Sequence, residues 1–420
     1  MTPSGTFAFP IDEVRSRFPA LERLHNGHAV AYFDGPGGTQ VPRDVAERMA
    51  DYLYDHNANT HWGYPTSDET DAIIQDARAA FAAFFNAGPS EVVFGQNMTT
   101  LTFHLARTLG RKMKAGDQII VTELDHHANV DTWRSLEKER GVEILRLPMD
   151  PETGKLRTEE LSGLITDRTR LVAVGAASNA IGTITDVASI CRAARDAGAL
   201  SFVDAVHFAP HFLPDVKAIG CDFLACSAYK FYGPHIGILF CREELLASLD
   251  FPKLAPAPDI APECAETGTL NHEGIAGAAA AVEFLAGFGS GDSLRQRLAD
   301  SFARFHEHEH PLAVRLRSGL AAIGGVKIFG PDDEHRSPLV SFTVLNQPSA
   351  AVSRALAKAG IFASHGDFYA ATVVKLLGVS EQGLLRAGCS IYTTETEIDR
   401  LLEGISVMVK RGSALGGGTD

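Results

Sequence analysis

Five short apolar runs, at 118–122, 171–175, 200–203, 223–226 and 236–240, set the strongest limit on how this chain folds. Each suits a buried strand. Helical patterns lie between several of them, and 186–197 carries its apolar residues at helical spacing. Strands separated by helices predict an α/β class, with a mostly parallel sheet covered by helices on both faces. Ligands of such sheets bind beyond the carboxyl ends of the strands. The polar residues that follow each run are therefore candidates for a site.

The chain has 420 residues, more than one core of roughly 250–300 residues accommodates, so two domains are expected. After about residue 250 the pattern changes. Pro252, Pro256, Pro258 and Pro262 predict an irregular connection. Helical patterns at 273–288 and 294–323 follow, then short strands at 339–344 and 384–387 and a last helix over 395–410. This reads as a second, smaller α/β domain. The glycine-rich tail, 412–420, is expected to be unstructured.

The formal charge of −14 argues against nonspecific binding to nucleic acid or an anionic membrane. No apolar run reaches transmembrane length, and 275–285 is short and carries Glu283. The opening residues lack the uninterrupted apolar stretch of a secretory leader. The six cysteines show no CxxC spacing, so free thiols and a cytoplasmic location are expected.

Lys230 ends Ser227-Ala-Tyr-Lys, just past a buried run. Lysine is rarely buried without a role, and a desolvated lysine is a nucleophile able to form Schiff bases. The other reading is a surface lysine in a loop. Asp204 closes the run at 200–203, with His207 three residues on. An acid there suits a metal ion, a ribose hydroxyl or a pyridinium nitrogen, and equally a helix cap. His126 and His127 are adjacent, and neighbours on an extended chain point opposite ways, so one ring stacking on a flat cofactor competes with metal binding and with a helix start. Asn97-Met-Thr-Thr precedes a helical pattern, which suits a phosphate at a helix N-terminus or an ordinary cap. Neither GxxxxGK[ST] nor GxGxxG occurs. His306 and His310 share a helical face, but their charged run reads as a solvated face rather than a metal site.

These segments together resemble the class V aminotransferase group of fold-type I pyridoxal-5′-phosphate (PLP) enzymes, in particular its cysteine desulfurase and selenocysteine lyase branch. The likeness runs from Phe9-Pro-Ile-Asp-Glu-Val-Arg through Tyr32-Phe-Asp-Gly-Pro-Gly-Gly-Thr to Leu385-Arg-Ala-Gly. It implies a large PLP-binding domain with a seven-stranded sheet over 36–258, a small domain over 259–420, and an N-terminal segment, 1–35, joining the small domain. It also implies a homodimer acting on an amino acid. By position, Lys230 matches the lysine that carries PLP, Asp204 the acid at the pyridine nitrogen, His126 the stacking ring and Asn179 the residue near the phenolic oxygen. Met98, Thr99 and Ser227 match phosphate binders, and His207 and Tyr229 lie beside the cofactor. Thr269 matches a phosphate contact given by the other subunit. Arg386 matches the fork that binds a substrate carboxylate, with His365 and Trp62 as further substrate contacts.

The chain departs from that pattern at four places. His207 replaces a glutamine, Tyr229 a histidine and Trp62 an arginine. The segment 362–370 resembles the desulfurase loop but carries Phe368 about where the nucleophilic cysteine stands, and that loop's arginine is missing. The expected activity is a PLP-dependent lyase, epimerase or aminotransferase without a persulfide-forming cysteine. The rivals are a genuine desulfurase or selenocysteine lyase, with Cys389 as the thiol to consider, and a non-catalytic regulator on the same fold. The intact set of Lys230, Asp204, His126 and Arg386 opposes the regulator.

Overall fold

The computed structural model describes residues 9–332 and 335–416. Its large sheet has seven strands: β1 (Val92–Gly95), β2 (Gln118–Thr122), β3 (Glu143–Leu147), β4 (Thr169–Gly175), β5 (Leu200–Asp204), β6 (Phe223–Ser227) and β7 (Gly237–Cys241). Their spatial order is β1-β7-β6-β5-β4-β2-β3. β7 runs antiparallel to both neighbours, and the pairs among β2 to β6 are parallel. The mostly parallel sheet is thus as expected, and the five apolar runs fall on its strands, except that Ile236 precedes β7. β3 escapes such a reading because Glu143 and Arg146 interrupt it at the sheet edge.

The sheet is apolar on both faces because alternate side chains enter different cores. Ile120, Val172, Val203, Leu224 and Ile238 pack to one side. Ile119, Leu171, Phe202, Phe223 and Leu239 pack to the other. Capping fixes where the covering helices begin and end. Pro65 opens α2 (Pro65–Phe85), which follows α1 (Arg43–Asp51), and Asn86 closes it with φ 59°. Asn97 caps α3 (Met98–Gly110) by accepting from Thr100 N at 2.9 Å. Asp186 does the same for α4 (Val187–Asp196).

A second sheet, in the order β8-β9-β11-β10, joins β8 (Val326–Phe329), β9 (Leu339–Val344), β10 (Ser364–Gly366) and β11 (Leu384–Gly388) in antiparallel pairs. The N-terminal segment reaches it: Ala31 and Tyr32 pair with Ile361 and Phe362, and Ala31 and Phe33 enter the small core. The border expected at 258 does not coincide with a change of core. α5 (His272–Ala286), an alanine- and glycine-rich helix, packs on α1 and α2 beside the large sheet. The prolines mark an irregular connection only. The change falls inside the 28-residue helix α6 (Leu294–Ala321), where Leu298, Phe302 and Phe305 join the large core and Leu312, Leu316 and Leu320 the small one. Pro311 stands between the two groups.

The reading of 306–310 as a solvated face also needs correction. Glu309 is 2% exposed, and His308 lies 3.0 Å from Thr393 O. The helix turns that side toward the seam between the two halves. Of the expected unstructured tail, 412–416 belong to the last helix, Glu395–Gly416, and 417–420 lie outside the described residues. Among the described residues all six cysteines are free and buried, and no helix is long and apolar enough to cross a membrane.

One buried ion pair locks α2 to β1 and to the strap before α5. Arg78 Nη1 and Nη2 fork onto Glu266 at 2.9 and 2.8 Å, Arg78 also bonds Val92 O, and Glu266 accepts from Phe94 N. Removing one partner strands a buried charge. Arg78→Met is expected to lower the unfolding free energy by about 3–5 kcal/mol in a urea titration. A loss under about 1 kcal/mol would show that the pair contributes little.

Candidate active site

The carboxyl ends of β2, β4, β5 and β6 open on one cleft of ≈ 1050 Å³. Each strand delivers a polar residue at its end or in the turn beyond. β5 ends in Asp204, β6 in Ser227 with Lys230 one turn later, β2 leads to Asp125 and His126, and β4 leads to Asn179. β11 of the small sheet brings Arg386, and the segment after β10 brings Phe368 and Tyr369, so both halves build the cleft.

Burial sets the charge states. It pulls the Lys230 ammonium down to about 7, helped by the Arg386 charge and opposed by Asp204. Lys230 Nζ donates to Pro36 O at 2.7 Å. Asp204 is lifted to about 6 by burial, against a bond from Val206 N at 2.9 Å and the pull of Lys230. His126 falls to about 4 through burial and nearby cations, so its ring is neutral at ordinary pH. Its Nδ1 accepts from Ala128 N at 3.0 Å, and its ring faces Tyr369 at 5.5 Å.

The part of the cleft at the start of α3 suits an anion. α3 points its first N–H groups into it, with Met98 N bonded to Ser227 Oγ at 3.0 Å and Thr99 alongside. Gly237 makes this approach possible, because a Cβ there would lie 2.3 Å from the Asn97 carbonyl carbon. Near the small domain, Arg386 Nη1 donates to Asn179 O at 2.6 Å. Its guanidinium lies 4.0 Å from the centre of the Phe368 ring. Phe368 O accepts from Asn179 Nδ2 at 2.8 Å, and Tyr369 O accepts from His127 N at 2.7 Å. These bonds hold Phe368 and Tyr369 at φ 56°, a strained region for residues with side chains.

Lys230, Asp204, His126, His207, Asn179, Met98, Thr99, Ser227, Tyr229, His365 and Arg386 all line the cleft. Two expected site residues do not. Trp62 is 60% exposed, in a segment whose backbone is held to α2 through Ser67. Thr269 lines a smaller neighbouring cavity, which shares Gln96 and Thr100 with the cleft. One acid that lines the cleft, Asp125, and one that lies behind its lining, Asp34, had no role in the sequence reading. Asp125 is raised to about 8 by burial and by Asp204, and it accepts from Gly175 N and Asn129 Nδ2, each at 2.8 Å. Asp34 is raised to about 6 by burial and lies in the field of Arg386. The only signal for either was its place inside a motif read for its neighbours. No cysteine lines the cleft.

A mostly parallel sheet with a buried lysine and carboxylate at its carboxyl edge, next to an anion pocket at a helix N-terminus, defines a fold-type I PLP enzyme. The family model "Aminotransferase class-V" matches residues 31–401, and the chain belongs to this PLP-dependent family. Among similar proteins, a cysteine desulfurase of Pectobacterium carotovorum is 31% identical over 95% of this chain and 98% of its own length. The aminotransferase-like protein FGM3 of Gibberella zeae is 34% identical over 96% of this chain and 99% of its own. The apo cysteine desulfurase structure from Thermococcus onnurineus superposes with a TM-score of 0.87 at 28% identity, covering 97% of this chain and all of that one.

The residues present fit the cofactor. Both ring nitrogens of His207, Asn179 Oδ1 and Arg386 Nε are buried without hydrogen-bond partners among the described residues. Such groups call for a ligand. The donor-rich end suits a phosphate, and Asp204 suits a protonated ring nitrogen. Because Lys230 is depressed to about 7, its neutral, nucleophilic amine predominates above that pH rather than above 10.5. The rate at which apoprotein takes up PLP, followed by absorbance, is therefore expected to rise with pH up to about 7 and then level off. A rate still climbing steeply at pH 9 would contradict this environment for Lys230.

Proposed function

We propose that this enzyme acts on an amino acid, with Lys230 as both the attachment point of PLP and the proton carrier, and without a persulfide-forming cysteine. The observation that carries the reading is the gathering of Lys230, Asp204, His126 and Arg386 in one cleft that no thiol lines.

Bound PLP supplies an electron sink for charge developing at a substrate carbon. Met98 N, Thr99 and Ser227 would hold its phosphate at the start of α3. His126, neutral and flat, would offer a face for its ring. The negative charge of Asp204 would favour a proton on the ring nitrogen, and Asn179 and His207 would present polar groups to the cofactor. Arg386 orients the substrate by forking onto the α-carboxylate. To do so it exchanges the Phe368 ring for two oxygens. Lys230 Nζ, poised near neutrality, takes a proton from the substrate α-carbon and returns it. His365 and Tyr369 border the place of the substrate side chain.

The apolar ring of Phe368 stands in the loop where a desulfurase nucleophile is expected. Cys389 is a poor substitute, because burial, with Glu309 and Glu397 nearby, holds its thiol far above the ordinary range. Lyase, epimerase and aminotransferase chemistry all use the groups present. Trp62 and Thr269 belong to a two-fold dimer in this reading. Both are exposed, and Leu53, Tyr54 and Tyr64 near Trp62 are exposed too, as an interface between copies requires.

Two measurements test the reading. Incubation with L-cysteine and a reductant is expected to yield no more sulfide and alanine from the wild type than from Lys230→Ala. Robust alanine formation that vanishes in Cys389→Ser would establish a desulfurase. With the best amino acid found by screening, Arg386→Lys is expected to cost about 2–5 kcal/mol in kcat/KM, because lysine cannot replace a buried fork. An unchanged kcat/KM would remove Arg386 from substrate binding.

A further inference from the structure

Asp125 lines the cleft together with Asp204, yet the proposed chemistry leaves it without a task. It stands three residues past β2 and is 5% exposed. Acids are rarely buried so deeply unless paired, and both hydrogen bonds to Asp125 come from neutral donors. One donor is the N–H of Gly175, the last residue of β4. In the parallel pairing of β4 with β5, Gly175 is the register partner of Asp204, on a strand about 4.8 Å away. The two acids are therefore anchored at neighbouring points of one sheet edge.

The surroundings of Asp125 are built to hold a carboxyl. Asn129 donates to it through Nδ2 while accepting from Trp133 Nε1 through Oδ1 at 3.0 Å, so its amide faces Asp125 with the donor side. Asn129 and Trp133 are fully buried. At Gly175 a Cβ would lie 2.6 Å from Asp125 Oδ1, so a larger residue would push the carboxyl away. Both hydrogen bonds favour an ionised Asp125, whereas burial and the Asp204 charge oppose it. Lys230 in turn bears on Asp204, and His126, next in the chain, is neutral. A cation beside Asp204 offsets the repulsion between the acids and lets Asp125 release its proton as well.

We propose that Asp125 is a positioning residue for the proton on the cofactor's ring nitrogen, acting through Asp204. Ionised once PLP is bound, it adds a second negative charge and keeps that nitrogen protonated to higher pH than Asp204 does alone. The inference rests on the reading of Asp204 as the acid at the ring nitrogen. Asp125 itself has to touch neither cofactor nor substrate.

Nitrogen-15 NMR of enzyme loaded with PLP labelled at the ring nitrogen reports protonation there directly. Wild type, Asp125→Asn and Asn129→Leu are titrated from about pH 6 to about pH 10, with Asp204→Asn as the check on the underlying reading. Asp125→Asn is expected to lose the ring proton at least about one pH unit below the wild type, tenfold in the protonation equilibrium. Asn129→Leu keeps the acid but removes one of its donors, and should shift the titration the same way by less. A purely structural role would lower the melting temperature and leave the titration in place. The proposal is overturned if wild type and Asp125→Asn lose the ring proton at the same pH, or if both keep it throughout. Should Asp125→Asn fail to take up PLP, an unshifted titration in Asn129→Leu overturns it instead. If Asp204→Asn moves the titration and Asp125→Asn does not, the reading of Asp204 stands and this inference alone falls. If neither moves it, both fall.

Discussion

The burial of Asp204 and Lys230 at one sheet edge is the constraint from which the rest follows. Water would keep the carboxylate near its ordinary range and the ammonium near 10.5, but the cleft brings both close to neutrality. Keeping them dry requires a sheet apolar on both faces, and strand ends that stop where the polar residues begin. In-register parallel pairing then brings Asp204 beside Ala225 on one neighbour and Gly175 on the other, both small enough to leave room at the edge. The helices, caps and cores serve that edge by fixing where each strand stops.

Much of this was legible in the sequence. A strand buried on both faces must be written as an uninterrupted apolar run, and the five runs, Ile236 excepted, fall on strands. The residues after four of them reached the cleft because parallel topology gathers strand ends in one place, whereas the fifth run forms antiparallel β7 and ends at the other side of the sheet. Lys230 and Asp204 were legible because each is a charge set against an apolar run. Family likeness, more than residue chemistry, pointed to Asn179 and Arg386. Arg386 follows none of the five runs, and Asn179, four residues past the run at 171–175, carries no charge to set it apart.

The rest was illegible for physical reasons. Asp125 and Asp34 act through burial, and burial of a single acid in a loop leaves no periodicity. Glu309 was read as solvated because its neighbours are charged, whereas one helix face can turn inward while the other stays wet. Prolines report a break in backbone regularity, whereas the change of core falls inside α6, where no proline-rich stretch marks it. Trp62 and Thr269 lie outside the cleft of their own chain, and nothing in the sequence around either residue marks that placement.

Helix α6 has a mechanical consequence. At 28 residues it is about 42 Å long, and it is anchored at one end in the large core and at the other in the small one. It therefore acts as a beam, so the halves cannot slide past each other without dragging it. Flexing is another matter. Pro311 offers no N–H to the preceding turn, and its ring crowds the carbonyl four residues back. The beam is softest at that one point, between Phe305 and Leu312, where its allegiance changes. Any tilt of Arg386 toward or away from Lys230 then has a natural pivot beside Glu309, far along the chain from either residue.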